Sequence, residues 1–105
     1  MSTPPASPPV RDNRERQRFE TEDEGQLSIA EYQLGAGTIV FTHTLVPPAL
    51  RGRGIATRLV EAALASARAQ RLGVVPRCSM FSVYMQRHPE THDLLTPAAR
   101  RLLGL

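Results

Sequence analysis

Two glycines and an alanine lie at a predicted strand-to-helix junction, in the segment Arg51-Gly52-Arg53-Gly54-Ile55-Ala56. Glycines let backbone N–H groups approach an anion without an intervening side chain, and a helix start adds unpaired donors and a positive dipole end. This junction could therefore bind a diphosphate. It could equally be a tight turn with solvated arginines, because short glycine motifs are common.

The junction matches neither of two familiar phosphate-binding motifs. A Walker loop requires lysine, and all thirteen basic residues of this chain are arginine. A dinucleotide fingerprint would place a third glycine near Arg58, where there is none. Arginine still offers a planar fork of donors to phosphate, and the net charge of +3 favours an anionic partner. Charge alone does not choose among a nucleotide cofactor, RNA and an acidic surface.

Two other residues could take part in proton transfer or nucleophilic chemistry. His43 lies on the predicted strand before the junction, and Cys78 follows a short predicted strand after the helix. An imidazole can accept a proton near neutral pH, and a thiolate can accept an acyl group. Structural roles are open for both: alternation puts His43 on one face with Ile39, Phe41 and Leu45, and a free cysteine is commonly a small buried hydrophobe.

Hydrophobic alternation predicts a meander of three antiparallel strands in the first half of the chain. The third, over 38–46, is dense in β-branched and aromatic residues. In the second, over 26–34, the register of the apolar residues shifts midway, which predicts a bulge. The first is a short extended segment that begins at Arg18-Phe19-Glu20.

The second half of the chain predicts a strand–helix–strand crossover. Pro47-Pro48 ends the third strand, apolar residues repeat every fourth position over a helix at 55–70, and Val74-Val75 indicates a short buried strand. The two strands of such a crossover are parallel. Short helices are predicted at 79–87 and 96–103. The fold class is therefore α/β (α+β), a mixed sheet of four to five strands with short C-terminal helices.

Composition predicts a disordered tail over 1–10 and a single domain over 11–105. The tail holds four of the nine prolines and little apolar surface to bury. The 105-residue chain has no run typical of a signal peptide or a membrane span, and its lone Cys78 has no disulfide partner. We therefore expect a cytoplasmic protein with a reduced thiol and no membrane association.

The pattern R-x-x-G-x-A, met by Arg51, Gly54 and Ala56, resembles the acetyl-CoA motif of the GNAT acetyltransferases. More narrowly, the chain resembles the minimal single-domain GNAT-like N-acetyltransferases, in which a histidine before the motif and a cysteine after the helix line the site. The resemblance implies a GNAT-like sheet whose two parallel strands splay apart. The matching segments are Phe19-Glu20, Thr42-His43-Thr44, Val46 to Ala56, Val75 to Ser79 and Arg87 to Glu90.

The same resemblance implies acetyl-CoA as the bound cofactor. Backbone N–H groups of the glycine junction would hold the diphosphate, and the preceding strand end would pair with the pantetheine amides. Pro76 suits this arrangement because it has no N–H to give where strands have separated. The cofactor-binding residues implied are Thr44, Leu45, Val46, Arg51, Gly52, Arg53, Gly54, Ile55, Ala56, Thr57, Cys78, Tyr84 and Arg87.

The resemblance also makes His43 and Cys78 the catalytic candidates, at the ends of neighbouring strands beside the acetyl group. Cys78 could accept the acetyl group as a nucleophile, or it could only shape the pocket. Tyr84 and Arg87 lie three apart on a predicted helix, so that Tyr84 could donate a proton to the sulfur and Arg87 could contact phosphate. Packing of Tyr84 and solvation of Arg87 are the alternatives.

The sequence thus predicts an acetyl-CoA-dependent N-acetyltransferase that acts on a small amine or a protein amine, and we expect a monomer. The alternative is a module that binds acetyl-CoA or CoA without efficient transfer. A nucleic-acid-binding domain is disfavoured by the low aromatic content. No metal site is expected, because His88 and His92 have no other grouped ligands. Only the tail and three strands precede the motif, so the acceptor site should be open.

Overall fold

In the computed structural model, which describes residues 8–105, five strands form one sheet in the order β1-β2-β3-β4-β5. The first four strands pair antiparallel and β5 pairs parallel to β4, which confirms the predicted meander and crossover. The strands are β1 (Arg11–Asn13), β2 (Arg18–Asp23), β3 (Gln26–Gly35), β4 (Thr38–Leu45) and β5 (Gly73–Pro76).

Three α-helices follow the meander at the predicted places. A 3-10 turn at Pro48–Leu50 precedes the first, and a second 3-10 segment at Pro89–Leu94 joins the other two. Neither 3-10 segment was predicted, since their sequences lack helical periodicity. The helices are α1 (Ile55–Ala69), α2 (Ser79–Arg87) and α3 (Pro97–Leu102).

One face of the sheet packs against α1 and α2 to form the core. Phe41 of β4 stacks on Phe81 of α2 with ring centroids 4.0 Å apart, and Phe19 and Tyr32 contribute two more rings. Burial of such side chains supplies most of the favourable free energy of folding. The fully or nearly buried residues of α1 are Ile55, Leu59, Val60, Ala63, Leu64 and Ala67.

A bulge in β4 changes which face its residues occupy. His43 pairs with Glu31, and Phe41 pairs with the next residue along β3, so Thr42 is an extra residue in β4. An insertion of one residue moves the following side chains to the opposite face, and accordingly Phe41 is buried whereas His43 is exposed. The prediction that His43 shares a buried face with Phe41 and Ile39 is therefore wrong.

The extra residue lies in β4 rather than in β3, where the sequence predicted it. The buried residues of β3 alternate without interruption, at Ser28, Ala30 and Tyr32. Leu27 and Ile29 lie on the other face, and Leu27 is 37% exposed. Because β3 carries apolar side chains on both faces, its sequence suggested a register shift within the strand. Apolar alternation identifies the buried face of a strand only when the other face is polar.

The charged strand β1 was not predicted because it has no apolar residue to mark it. It pairs with β2, and Arg11 and Arg18 both bind the buried carboxylate of Glu20. Just before β1, Val10 packs against the core and the Pro8 carbonyl accepts a hydrogen bond from Thr21. Residues 1–7 of the predicted tail lie outside the described residues, and its boundary stays a prediction.

Candidate active site

The parallel strands β4 and β5 separate at Phe41. Phe41 and Pro76 are the last paired residues, and the Phe41 carbonyl accepts hydrogen bonds from the backbone N–H groups of Arg77 and Cys78, both at 3.0 Å. Beyond this point β4 continues to Leu45, whereas the chain after β5 turns into α2. The last residues of β4 therefore have an edge that β5 does not cover.

A cavity of about 430 Å³ occupies this gap between the end of β4 and the start of α1. Its volume lies within the range of small-molecule sites, roughly 300–1,000 Å³. Nine of the thirteen residues predicted to bind a cofactor line it, and Leu50 and Met80 complete it. The lining residues are Thr44, Leu45, Val46, Leu50, Arg51, Gly52, Gly54, Ile55, Ala56, Thr57 and Met80.

The glycine junction presents its backbone to this cavity. Gly52 and Gly54 have φ angles of 82° and 77°, in the left-handed region that glycine adopts without steric cost. The space that a Cβ atom would enter at either glycine is open. Gly54 caps α1 without a side chain, so the first N–H groups of the helix have no capping partner and are available to an anion. The junction fits a bound diphosphate.

The two arginines of the junction have different surroundings. Arg51 lines the cavity and donates from Nε to the Val46 carbonyl at 3.3 Å, which ties the junction to the end of β4. Arg53 instead forms an exposed ion pair with Glu24 at 3.0 Å. The side chain of Arg53, one of the predicted phosphate contacts, is therefore engaged outside the cavity, and Arg53 does not line it.

A second cavity of about 450 Å³ lies between α1 and α2 and shares Thr57 and Met80 with the first. Two predicted site residues, Tyr84 and Arg87, line this cavity and not the one at the strand gap. The other lining residues, which the sequence did not predict to bind the cofactor, are Val60, Glu61, Ser79, Val83 and His88. Met80, which lines both cavities, is 44% exposed. An apolar residue in the first turn of a predicted helix is the sequence signal that could have indicated its role.

The surroundings of Tyr84 affect the pKa of its phenol and the position of its ring. Burial, together with the negative charges of Glu61 and Glu90, raises the pKa of the Tyr84 phenol above its ordinary value. The ring stacks on the imidazole of His88, with centroids 3.8 Å apart. His88 Nδ1 is also 2.7 Å from the Tyr84 carbonyl oxygen. Tyr84 is thus a fixed, protonated phenol at the wall of the second cavity.

Cys78 stands at the N-terminus of α2, half-buried beside the strand gap. Its Sγ atom lies 3.2 Å from the Thr44 hydroxyl, so the structure joins Cys78 to Thr44 by a hydrogen bond. His43 lies on the opposite face of the sheet from Phe41, because the extra residue Thr42 reverses the alternation of the side chains that follow it in β4. Cys78 and His43 therefore flank the gap from its two sides.

The remaining histidines have structural partners. His92 Nε2 lies 2.7 Å from the Met85 carbonyl oxygen, and His88 contacts the preceding turn of the same helix. Both imidazoles thus contact carbonyl groups in the last turns of α2. Within residues 8–105 no group of three or more histidine, cysteine or acidic side chains is arranged to hold a metal ion.

Comparison with known proteins assigns the family. The family model described as GCN5-related N-acetyl-transferase matches residues 18–94, which include the strand gap, the glycine junction and both cavities. The chain belongs to this family. Membership of the GNAT family supports an acetyltransferase activity. The splayed strands and the glycine junction described above correspond to the fold that the resemblance implied.

A solved structure shares this GNAT fold. The NMR solution structure of a GCN5-like protein from Staphylococcus aureus, described as a candidate N-acetyltransferase, superposes with a TM-score of 0.67. The match covers 87% of this chain and 90% of that chain at 21% sequence identity. At that identity the similarity shows the fold alone. In the part of the chain that the structure describes, no helix has the length and apolar character needed to cross a membrane.

Proposed function

We propose that this protein transfers the acetyl group of acetyl-CoA to an amine. The observation that carries the proposal is the cavity at the strand gap, where the unpaired edge of β4 meets the glycine junction at the start of α1. Acetyl-CoA has amide groups, which could pair with the free edge of β4, and a diphosphate, which could bind the N–H groups at the start of α1.

The residues of the cavity divide into two binding roles. The backbone N–H groups of residues 51–57 would hold the diphosphate, supported by the positive end of the α1 dipole. The backbone of Thr44, Leu45 and Val46 would pair with the pantetheine amides, as an added strand pairs with a free sheet edge. Arg87, on the wall of the adjoining cavity, is the predicted side-chain contact to phosphate. When bound, acetyl-CoA supplies an activated acyl group as a thioester.

Acetyl transfer requires a neutral amine and a protonated leaving thiolate. His43 is proposed to take a proton from the amine, since its imidazole is exposed and an amine can reach it from solvent. Tyr84 is proposed as the proton donor to the thiolate, because its phenol stays neutral. Its position in the adjoining cavity requires the cofactor sulfur to lie near Met80, which lines both cavities.

Cys78 has two candidate roles that differ in covalent chemistry. As a nucleophile, its sulfur would attack the thioester carbonyl, release the CoA thiolate and hold the acetyl group until an amine removed it. As a pocket residue, it would only shape the end of the cavity. Its place at the N-terminus of α2 and its hydrogen bond to Thr44 keep the sulfur beside the strand gap, which either role needs.

Mass spectrometry of the full chain after incubation with acetyl-CoA tests the proposal. We expect a noncovalent CoA complex under native conditions, and under denaturing conditions an acetyl group on Cys78 that Cys78→Ala lacks. His43→Ala should bind CoA normally and transfer acetyl slowly, whereas Thr42→Ala, a change at the neighbouring exposed residue, should leave both unchanged. Absence of CoA binding and of acetyl transfer in the wild type would overturn the proposal.

The second candidate is a module that binds acetyl-CoA without efficient transfer. It is favoured by one observation, that His43 and Cys78 lie on different sides of the sheet. Calorimetric binding of CoA together with undetectable turnover on any amine would select it. Salt-sensitive binding of an oligonucleotide without binding of CoA would instead indicate a nucleic-acid partner.

The cellular setting follows from the same chemistry. A free thiol such as that of Cys78 is typical of a reducing compartment, and we propose the cytoplasm. We further propose that the chain acts as a monomer. Sedimentation with and without CoA checks the second statement, and a concentration-dependent dimer would contradict it.

A further inference from the structure

Two ion pairs hold the two ends of α1. Near its start, Arg58 donates from Nη2 to the carboxylate of Asp23, the last residue of β2, over 2.9 Å. Near its end, Arg68 binds Asp93 at 2.7 Å. The side chains of Arg58 and Asp23 are only 25% and 17% exposed, whereas those of the other pair are 51% and 64% exposed. Because water screens the exposed pair, the pair at the start of α1 should do more to fix the helix.

Arg58 also closes the first turn of α1. Its backbone N–H donates to the Gly54 carbonyl at 3.1 Å, which is the first helical hydrogen bond after the glycine junction. Gly54 has no side chain to cap the helix, and the first turn contains no acidic residue that would stabilise its N–H groups. The side chain of Arg58, which also donates to the Thr21 hydroxyl at 3.4 Å, therefore ties this uncapped turn to the sheet.

The guanidinium of Arg58 depends on Asp23 for its neutralisation. Within residues 8–105, Asp23 is the acidic side chain that pairs with Arg58, and the buried Nε atom of Arg58 has no hydrogen-bond partner. A largely buried cation without a partner carries a desolvation cost. Loss of the Asp23 carboxylate should therefore displace the Arg58 side chain, and with it the first turn of α1.

Asp23 itself has a well-defined position. It pairs with Gln26 across a two-residue turn in which Glu24 and Gly25 have φ angles of 51° and 74°. Two successive residues with positive φ are typical of a type I′ turn, a tight connection whose twist matches that of the strands. Asp23 is thus fixed to the sheet, and its ion pair fixes the start of α1 relative to the sheet.

We propose that Asp23 is a positioning residue for the cofactor site, and that it acts through Arg58 to hold the first turn of α1 where its free N–H groups meet the diphosphate. This inference rests on the proposed binding of acetyl-CoA. Neither Asp23 nor Arg58 lines the cavity at the strand gap, so both act through the helix. Backbone donors that already point at an anion bind it without a cost of ordering, so a displaced first turn loses cofactor affinity.

Calorimetry with CoA and the full chain tests this role. Asp23→Asn should raise the CoA dissociation constant by about tenfold, the effect of losing one hydrogen bond to a charged diphosphate. Arg58→Met, which keeps the aliphatic stem without the charge, should have the same effect and serves as the second variant if Asp23→Asn does not fold. Asp23→Glu keeps the carboxylate and should bind CoA more tightly than Asp23→Asn.

Two further measurements separate positioning from general stability. Amide hydrogen exchange, followed by NMR without CoA, should show loss of protection at the Arg58 N–H in Asp23→Asn. The double variant Asp23→Asn, Arg58→Met should bind CoA no more weakly than either single variant, because the two residues act as one unit.

Two control variants make the same chemical change elsewhere. Asp93→Asn breaks the ion pair at the other end of α1, and should leave both CoA affinity and exchange of the Arg58 N–H unchanged. Glu24→Gln removes one negative charge next to Asp23 and so reproduces the change in net charge. The pair that it breaks with Arg53 is exposed, and this variant should not weaken CoA binding.

Each other outcome decides against the inference. Equal weakening of CoA binding by Asp23→Asn and Asp93→Asn would mean that α1 is only destabilised, and additive losses in the double variant would mean that Asp23 does not act through Arg58. If the wild type bound no CoA, the proposed function would fail as well. Wild-type binding of CoA, with the same affinity in folded Asp23→Asn or Arg58→Met, would overturn this inference alone.

Discussion

The hydroxyl oxygen of Thr44 lies 3.2 Å from the Sγ atom of Cys78, although the two residues are 34 positions apart in the chain. The contact crosses the gap at which β4 and β5 separate and joins the free end of β4 to the first residue before α2. His43, one residue before Thr44, faces the other side of the sheet. In the proposed reaction, Thr44 and Cys78 therefore lie on the cofactor side of the sheet and His43 lies on the acceptor side.

Removal of the Thr44 hydroxyl should make Cys78 less reactive. We expect Thr44→Val to slow both alkylation of Cys78 by iodoacetamide and acetyl transfer by about fivefold, the effect of losing one hydrogen bond worth about 1 kcal/mol. Thr44→Ser keeps the hydroxyl and should retain the wild-type rates. An unchanged alkylation rate in Thr44→Val would show that the Thr44 hydroxyl does not affect the reactivity of Cys78.

Addition of a methyl group at Gly54 should weaken CoA binding. Alanine at a φ of 77° costs about 1–2 kcal/mol of stability, and its Cβ enters the space proposed for the diphosphate. We expect about a tenfold rise in the CoA dissociation constant, measured by calorimetry, for loss of one charge-assisted hydrogen bond.

Gly37→Ala is the matched control for this change. Gly37 has a φ of 70° and open space around it, but it lies in the turn between β3 and β4, away from the cavity lining. It should lose similar stability and bind CoA normally. An equal loss of CoA affinity in both variants would mean that Gly54 acts only through folding.

Stability should depend on the ionisation of Glu20. Burial opposes the charged carboxylate, but hydrogen bonds from Arg18, Arg11 and Asn13 outweigh it and lower the pKa of Glu20 below its ordinary value of 4.5. The folded state therefore favours the ionised form, so this contribution is present above the ordinary pKa and is lost as the pH falls through the lowered value.

Glu20→Gln measures that contribution. We expect a loss of about 2 kcal/mol in the free energy of urea unfolding at neutral pH, since hydrogen bonds to a charged group are removed. The difference from the wild type should shrink as the pH falls below 4.5, where the wild type is also protonated when unfolded. A difference that stayed constant with pH would argue for a packing effect.

Tyr84→Phe should lower kcat and leave CoA affinity unchanged if the phenol donates a proton to the thiolate. General acids contribute about a hundredfold, and the raised pKa keeps Tyr84 protonated through neutral pH. Tyr32→Phe is the control: the buried Tyr32 donates to Asp12 at 2.6 Å and should affect stability alone.

The same pair of tyrosines gives an optical readout. In Tyr84→Phe the only tyrosine left is Tyr32, whose pKa burial and the bond to Asp12 raise to about 12. Ultraviolet titration of this variant should show a single phenol ionising near that value. If Tyr84→Phe had the same kcat as the wild type, Tyr84 would not be the proton donor, and its role would be limited to packing against His88.

The local features of the site could be predicted from the sequence. Glycines between a strand and a helix have a backbone geometry that few other residues tolerate, and the four-residue apolar repeat of α1 is set by the pitch of the helix. The crossover of β4, α1 and β5 followed from the order of these elements. The gap after Phe41 was implied by the family resemblance and agreed with the proline at residue 76.

Only the tertiary structure decided the sides of the sheet. The sequence placed His43 with Phe41 and put the bulge in the wrong strand, because a single extra residue leaves almost no trace in composition yet reverses every later side chain. Thr42 is that residue, and it turns His43 to the open face while directing Thr44 to Cys78.

The sequence by itself therefore determined the fold family, the glycine junction and the chemical candidates, since these depend on short-range backbone and periodicity rules. The tertiary structure decided which candidates meet. The hydrogen bond of Thr44 with Cys78 and the pairing of Glu31 with His43 depend on strand register and separation, which are set by packing between residues distant in the chain.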